Sequence, residues 1–375
     1  MADKRTLIWL EGLRGIAAIL VVLCHARDYL HGLPTARITD PLLQAGAMGV
    51  DLFFVISGFI MVYTTADKAG PAFAARFMVK RIAKIWPTYV VASTIYLLVA
   101  YGGFAYFEQG RNLLFYARSL VFYPANPHIL VYFAMPLSPT WTLVFEWYFY
   151  LVFAASLLLR RNRLLAQCGW FFATLVLLPL FACHSLHRLF VFGQPDYPVG
   201  YLNVVTNPIV WDFVAGILIA HLYRLPLRIH SKPLARALLL ATIVLMPLMV
   251  WLGVTTTHGP LQWGWPIFLF FLAMAIASKT LDIRYGRLIA RLGETSYSIY
   301  LTHLIGFALF DAAWSRFVGG IATHIWLHVA LAVPFALLLS QIFYHRIESP
   351  STAWMRRKLL RLSGSGRAVS SPPQT

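Results

Sequence analysis

Arg14 and His25 lie eleven residues apart inside one apolar run, LEGLRGIAAILVVLCHA. At about 100° per residue, a helix brings His25 back to within about 20° of Arg14, with Glu11 about 60° away on the same side. All three can therefore face one partner. Ionisable side chains at membrane depth are costly and turn toward a cavity or toward one another, which makes this stretch a candidate site. Arginine keeps its charge and grips phosphate or carbonyl oxygens, whereas histidine can take a proton from a hydroxyl near neutral pH. The two stand about 16 Å apart along the helix axis, as two stations on one wall. A structural alternative stands beside this: an Arg14–Glu11 ion pair, with His25 hydrogen-bonded at the interface.

Four further segments carry candidates. In GVDLFFVISGF, Asp51 is at a depth similar to that of His25 and can either orient the imidazole or cap its own helix. Ser57 precedes Gly58 in mid-span, where small residues permit close packing. It is a candidate for substrate contact rather than a nucleophile. KRIAKIWPTY places Lys80, Arg81 and Lys84 at the mouth of a span, as phosphate contacts or as plain membrane anchors. WTLVFEWYFYL buries Glu146 among aromatics, as general base, histidine orienter or arginine partner. SYSIYLTH puts His303 at mid-membrane as another wall residue. The pairs His184/His187 and His324/His328 read as interfacial hydrogen-bonding groups, and no metal site is expected from them.

The elements that position these residues follow from composition. The chain has 375 residues, 59% of them apolar and only 12% charged, against about a quarter charged in soluble domains. Long apolar runs recur near 7–27, 42–64, 82–101, 138–159, 164–183, 207–223, 234–253, 261–278, 296–313 and 322–345. These predict an all-α, polytopic transmembrane bundle of about ten spans. Of the 31 Lys and Arg residues, Arg14 falls inside the membrane and only Arg27, Arg37, Arg111, Arg118, Arg188 and Arg316 fall on the far side. The remainder cluster on the side of the N-terminus, so both termini are expected in the cytoplasm. The net charge of +17 is then mainly a topology signal, with a contribution to anionic lipid or a phosphorylated donor left open; no nucleic-acid partner is expected.

Lys4 and Arg5 precede the first apolar run as in a signal peptide. Glu11 and Arg14 interrupt that run, and bulky Leu23 stands before Cys24, so an uncleaved span is expected. Cys24, Cys168 and Cys183 lack metal-ligand spacing and read as small packed hydrophobes. Segment 102–137 is too apolar for a simple loop and reads as an interfacial helix or a cap over a cavity. Segment 184–206, with GQPDYPVGYLN, suits an aromatic belt or a sugar-facing surface. No internal repeat is visible. Residues 7–345 read as one membrane domain and 346–375 as a cytoplasmic tail, largely disordered at its end.

Taken in order, LRGIAAILVVLCH, GVDLFFVISGF, KRIAKIWPTY, WTLVFEWYFY, SYSIYLTH and RIESP resemble acyltransferase family 3, the integral membrane O-acyltransferases. The branch resembled acetylates bacterial exopolysaccharides and related surface glycans. The resemblance runs from about Leu10 to Pro350. It implies a multi-pass protein of the bacterial plasma (inner) membrane with acetyl-CoA or another acyl-CoA as cytoplasmic donor. A glycan hydroxyl outside would be the acceptor, and no tightly bound cofactor is implied. It also implies that His25 is the catalytic base, supported by Asp51 or Glu146, with Arg14 and Arg81 as donor contacts. Lys80 and Lys84 stand where the family often has arginine; lysine keeps the charge but loses the bidentate fork. Glu11, Ser57 and His303 remain candidate substrate contacts. Many relatives append an extracytoplasmic esterase-like domain. None is expected here, so a periplasmic or polysaccharide-assembly partner would finish the transfer, or the acceptor is reached directly. Two rival readings are a transporter or flippase of lipid-linked sugar and a proton-coupled permease relaying through Glu11, His25 and Glu146.

Overall fold

The computed structural model describes residues 4–65, 68–129, 132–183, 190 and 197–362. Among the described residues there are helices and no strand. The helices are α1 (Lys4–Ala26), α2 (Ala36–Gln44), α3 (Met48–Thr64), α4 (Pro71–Ala100), α5 (Gly110–Leu120), α6 (Trp141–Leu158), α7 (Arg163–Phe172) and α8 (Leu178–Cys183). They continue with α9 (Leu202–Val205), α10 (Val210–Arg224), α11 (Lys232–Trp251), α12 (Gly264–Ala277), α13 (Arg287–Glu294), α14 (Ser296–Phe317), α15 (Ile325–Phe343) and α16 (Ser349–Leu362).

Local sequence accounts for the helix starts. Gly70 takes a positive φ of 98° just before Pro71, and proline is preorganised for the first helical turn. Ser231 caps α11 by accepting from the Leu234 N–H at 3.3 Å, the usual role of a hydroxyl at that position. Seven helical stretches are long and apolar enough to cross a membrane, and each overlaps one of the expected runs. The other three runs fall on α10 and α12, of 15 and 14 residues, and on α14. That helix buries Ser296, Ser298, Thr302 and His303, a polar stripe that only an inward-facing helix tolerates. α11 by contrast leaves Leu240, Val244 and Trp251 bare, as a lipid-facing helix should.

The last run extends further than the sequence predicts. A π-helical turn over Tyr344–Glu348 joins α15 to α16, so residues 349–362 of the expected tail are helical. The end expected to be disordered lies outside the described residues, as do His184 and His187. Segment 102–137 carries α5, with Leu113 and Leu114 exposed. Trp86 Nε1, from α4, donates to Leu120 O at 2.9 Å, which ties α5 to α4.

The bundle centres on α3, which packs against α10, α1 and α12. At the α3–α10 crossing a side chain on Gly58 would collide with Phe213 O, and one on Gly216 with Val55 O. Backbones can approach that closely only where the facing residues are small. α14 packs on α15, α4 and α1, while α4 also meets α6 and α16. Helices α1, α3, α4, α6 and α14 thus enclose one interior space.

Candidate active site

That space is a cavity of about 430 Å³. Its walls include Arg14 from α1, Ser57 from α3, Lys80, Arg81 and Lys84 from α4, Glu146 and Tyr150 from α6, and Ser296, Tyr297 and Tyr300 from α14. On α3 it runs from Thr64 to Val50, about 21 Å at the helical rise. Polar groups crowd the end near Thr64, and Val50, Phe53, Phe54 and Leu143 line the other end.

Several charged wall residues are held in place. The Arg81 guanidinium lies against both Phe77 and Tyr150, 5.1 and 5.0 Å from the ring centres, cation–π contacts that suit arginine's flat cation. Tyr150 donates its hydroxyl hydrogen bond to Glu146 one turn back. Lys84 Nζ lies 2.8 Å from Glu348 Oε1, and Ser298 Oγ donates to Glu348 Oε2 at 2.6 Å. Glu348 is buried, so its charge needs these partners. The pairing reserves Lys84 for a structural tie and leaves Arg14, Lys80 and Arg81 without a carboxylate ion-pair partner among the described residues. Ser296 Oγ is buried without a hydrogen-bond partner among the described residues.

His25 lies outside the cavity. Its Nδ1 is 2.9 Å from Val21 O and 3.3 Å from Nε2 of His303. His303 in turn has Nδ1 3.0 Å from Ile299 O. A carbonyl only accepts, so the network assigns a hydrogen to each Nδ1 and makes His303 Nε2 an acceptor. His25 Nε2 then carries the free lone pair, with no hydrogen-bond partner among the described residues. Between this pair and the cavity stand Tyr300 and Phe53, ring to ring at 5.9 Å. Tyr300 faces the cavity and its ring centre is 6.3 Å from that of His303. Its hydroxyl donates to Pro139 O at 2.6 Å and lies 2.8 Å from Thr142 Oγ1. Tyr300, pinned through its hydroxyl, is thus shared between the wall of the cationic cavity and the histidine pair.

Other candidates take different places. Neither carboxylate supports His25: Asp51 Oδ2 lies 2.7 Å from His258 Nδ1 instead, and Glu146 is engaged with Tyr150. His258 sits between Trp141 and Trp263, ring centres 5.5 and 5.0 Å away, so Asp51 ties the segment before α12 to α3. Similar depth along the chain is not proximity across a bundle. Glu11 is exposed, outside the cavity and in no ion pair with Arg14 among the described residues. Its backbone carbonyl lies where a side chain on Gly293 would be, so the 60° offset turned it toward α13. His328, expected at the interface, is fully buried, 3.0 Å from Asp311. The roles of Ser296, Tyr300 and Glu348 were not read from sequence, although SYSIYLTH places Ser296, Tyr300 and His303 at i, i+4 and i+7, one helical stripe.

A polytopic helical bundle with a buried cationic cavity and an adjacent histidine pair is a membrane enzyme in outline. Residues 7–345 match the model of a family described as "Acyltransferase domain", and the chain belongs to that family, acyltransferase family 3. It is 29% identical over 342 residues to the exopolysaccharide production protein ExoZ of Rhizobium meliloti, covering 89% of this chain and 98% of that one. It is 28% identical over 316 residues to a protein of Komagataeibacter xylinus provisionally named membrane-bound transacylase BcsY, covering 79% and 72%. Similarity at 22% identity extends to provisionally named O-acetyltransferases of Staphylococcus aureus, over 91% of this chain and 56% of theirs. No solved structure matches. The chain is therefore an integral membrane acyltransferase.

Proposed function

We propose that this enzyme moves an acetyl or similarly short acyl group from cytoplasmic acyl-CoA to a hydroxyl of an extracytoplasmic glycan such as an exopolysaccharide. The observation that carries this is the division of labour along one axis. Arg14, Lys80 and Arg81 line the cavity at the basic side of the bundle, and His25 offers its Nε2 beyond the Phe53–Tyr300 wall. The clustering of Lys and Arg at the cavity's basic side supports a cytoplasmic face there, in a bacterial plasma membrane. The names of the exopolysaccharide relatives support the glycan acceptor.

In the proposed step the acceptor oxygen attacks the thioester carbonyl carbon while His25 Nε2 takes the hydroxyl proton. The carbonyl carbon–sulfur bond then breaks, and the CoA thiolate leaves toward the cations and takes up a proton. Val21 O holds the His25 ring in the tautomer that presents Nε2, and His303 supports the ring from the side. Because Tyr300 lies between the cavity lining and His303, the step requires its ring to swing aside when donor and acceptor are both bound. The test is transfer of radiolabel from acetyl-CoA to purified surface polysaccharide by the protein in nanodiscs. Labelled polymer with the wild type and none with folded His25→Ala supports the reading. Sugar translocation or proton movement without acyl-CoA consumption would replace it with one of the transport readings.

A further inference from the structure

A second concavity, of about 290 Å³, lies on α16 and is lined by Trp354, Arg357, Lys358 and Arg361. These positions are i, i+3, i+4 and i+7, so they share one helix face. Lys358 Nζ stands 5.1 Å over the Trp354 ring. All four side chains are exposed, and the α16 sequence SPSTAWMRRKLLRL holds no acidic residue. Arginines and lysines gathered this way select phosphate oxygens, and an exposed indole offers a face to a planar base.

Glu348, just before α16, is bonded to Lys84 in the cavity wall, and α16 then runs along α4. Arg357 and Arg361 lie nine and thirteen residues past Glu348, about 14 and 20 Å at the helical rise. The groove therefore lies on the helix that leads away from the cavity wall, within about 20 Å of it along the helix.

We propose that this groove docks the nucleotide-phosphate tail of the donor while the pantetheine arm enters the cavity. The purine stacks on Trp354, and Arg357, Lys358 and Arg361 hold the phosphates. This rests on the acyl-CoA reading above. The test uses the detergent-purified full chain and a triple variant, Arg357→Ala, Lys358→Ala and Arg361→Ala, all at exposed positions. Calorimetry with 3′,5′-ADP is expected to show binding to wild type and at least a tenfold loss in the triple variant. Trp354→Ala is expected to weaken 3′,5′-ADP but not inorganic pyrophosphate. In kinetics, wild type should have a lower KM for acetyl-CoA than for acetyl-pantetheine, and the triple variant should lose that preference. Equal 3′,5′-ADP affinity in wild type and variant would overturn the proposal. So would binding of short-chain phosphatidylglycerol with none of 3′,5′-ADP, which would assign the groove to lipid. Groove-dependent 3′,5′-ADP binding without turnover of any acyl-CoA would instead sink the function proposed above and leave the nucleotide site standing.

Discussion

The proposed base, His25, is held by backbone and by another histidine, not by a carboxylate. His25 Nδ1 is anchored on Val21 O, so the tautomer survives loss of His303 while the ring loses its lateral support. His25→Ala should therefore lower kcat by about 10²–10⁴-fold, the usual worth of a general base. His303→Ala should cost less, up to about 10²-fold as expected for a misplaced group, in kcat and not in KM. Single-turnover acyl transfer by the two variants checks the order; equal losses would contradict it. Arg81 contacts two aromatic rings as well as carrying charge, so Arg81→Lys should raise the KM for the donor despite conserving charge, as initial-rate kinetics would show. The residue types of this site were legible in the sequence because a charge inside an apolar run stands out. Their partners were not: His258 lies 207 positions from Asp51, and Glu348 lies 264 from Lys84. One-dimensional depth could not tell that Asp51 faces away from His25.

At the scale of elements, close packing fixes where the walls stand. The α3–α10 crossing depends on Gly58 and Gly216. Gly58→Leu should separate the two helices and lower thermal stability by about 1–3 kcal/mol, the range for overpacking. A thermal shift assay in detergent measures this, and an unchanged Tm would show that the helices are free to part. The tie between α4 and the helix leading into α16 rests on Lys84 and Glu348. Removing Lys84 alone leaves a buried carboxylate without its cation, so Lys84→Met should destabilise by about 3–5 kcal/mol. The double variant Lys84→Met with Glu348→Gln should recover part of that loss. Apolar periodicity located the helices well, since each expected run coincides with one. It did not reveal α16, a polar amphipathic helix that lies past the apolar signal and is supported by α4, a tertiary contact.

At the scale of the molecule, the charge asymmetry, the basic cavity and the position of the histidine pair share one axis. That axis predicts that Arg361→Cys reacts with a membrane-impermeant maleimide only in inverted vesicles. Labelling in intact spheroplasts would reverse the topology and place the cavity on the wrong side for a cytoplasmic donor. The general class was legible from six ordered motifs spread along the chain. The place of Tyr300 between cavity and histidine pair was not, because it looks like an ordinary core aromatic until the fold sets it against Phe53 and His303.

The most direct measurement is label transfer from acetyl-CoA to surface polysaccharide, with wild type and His25→Ala reconstituted in nanodiscs and their folding checked by matching melting profiles. Acyl transfer by wild type and its loss by at least about 10²-fold in the variant is the expected result. Undiminished transfer by folded His25→Ala would contradict the central claim that His25 Nε2 is the base.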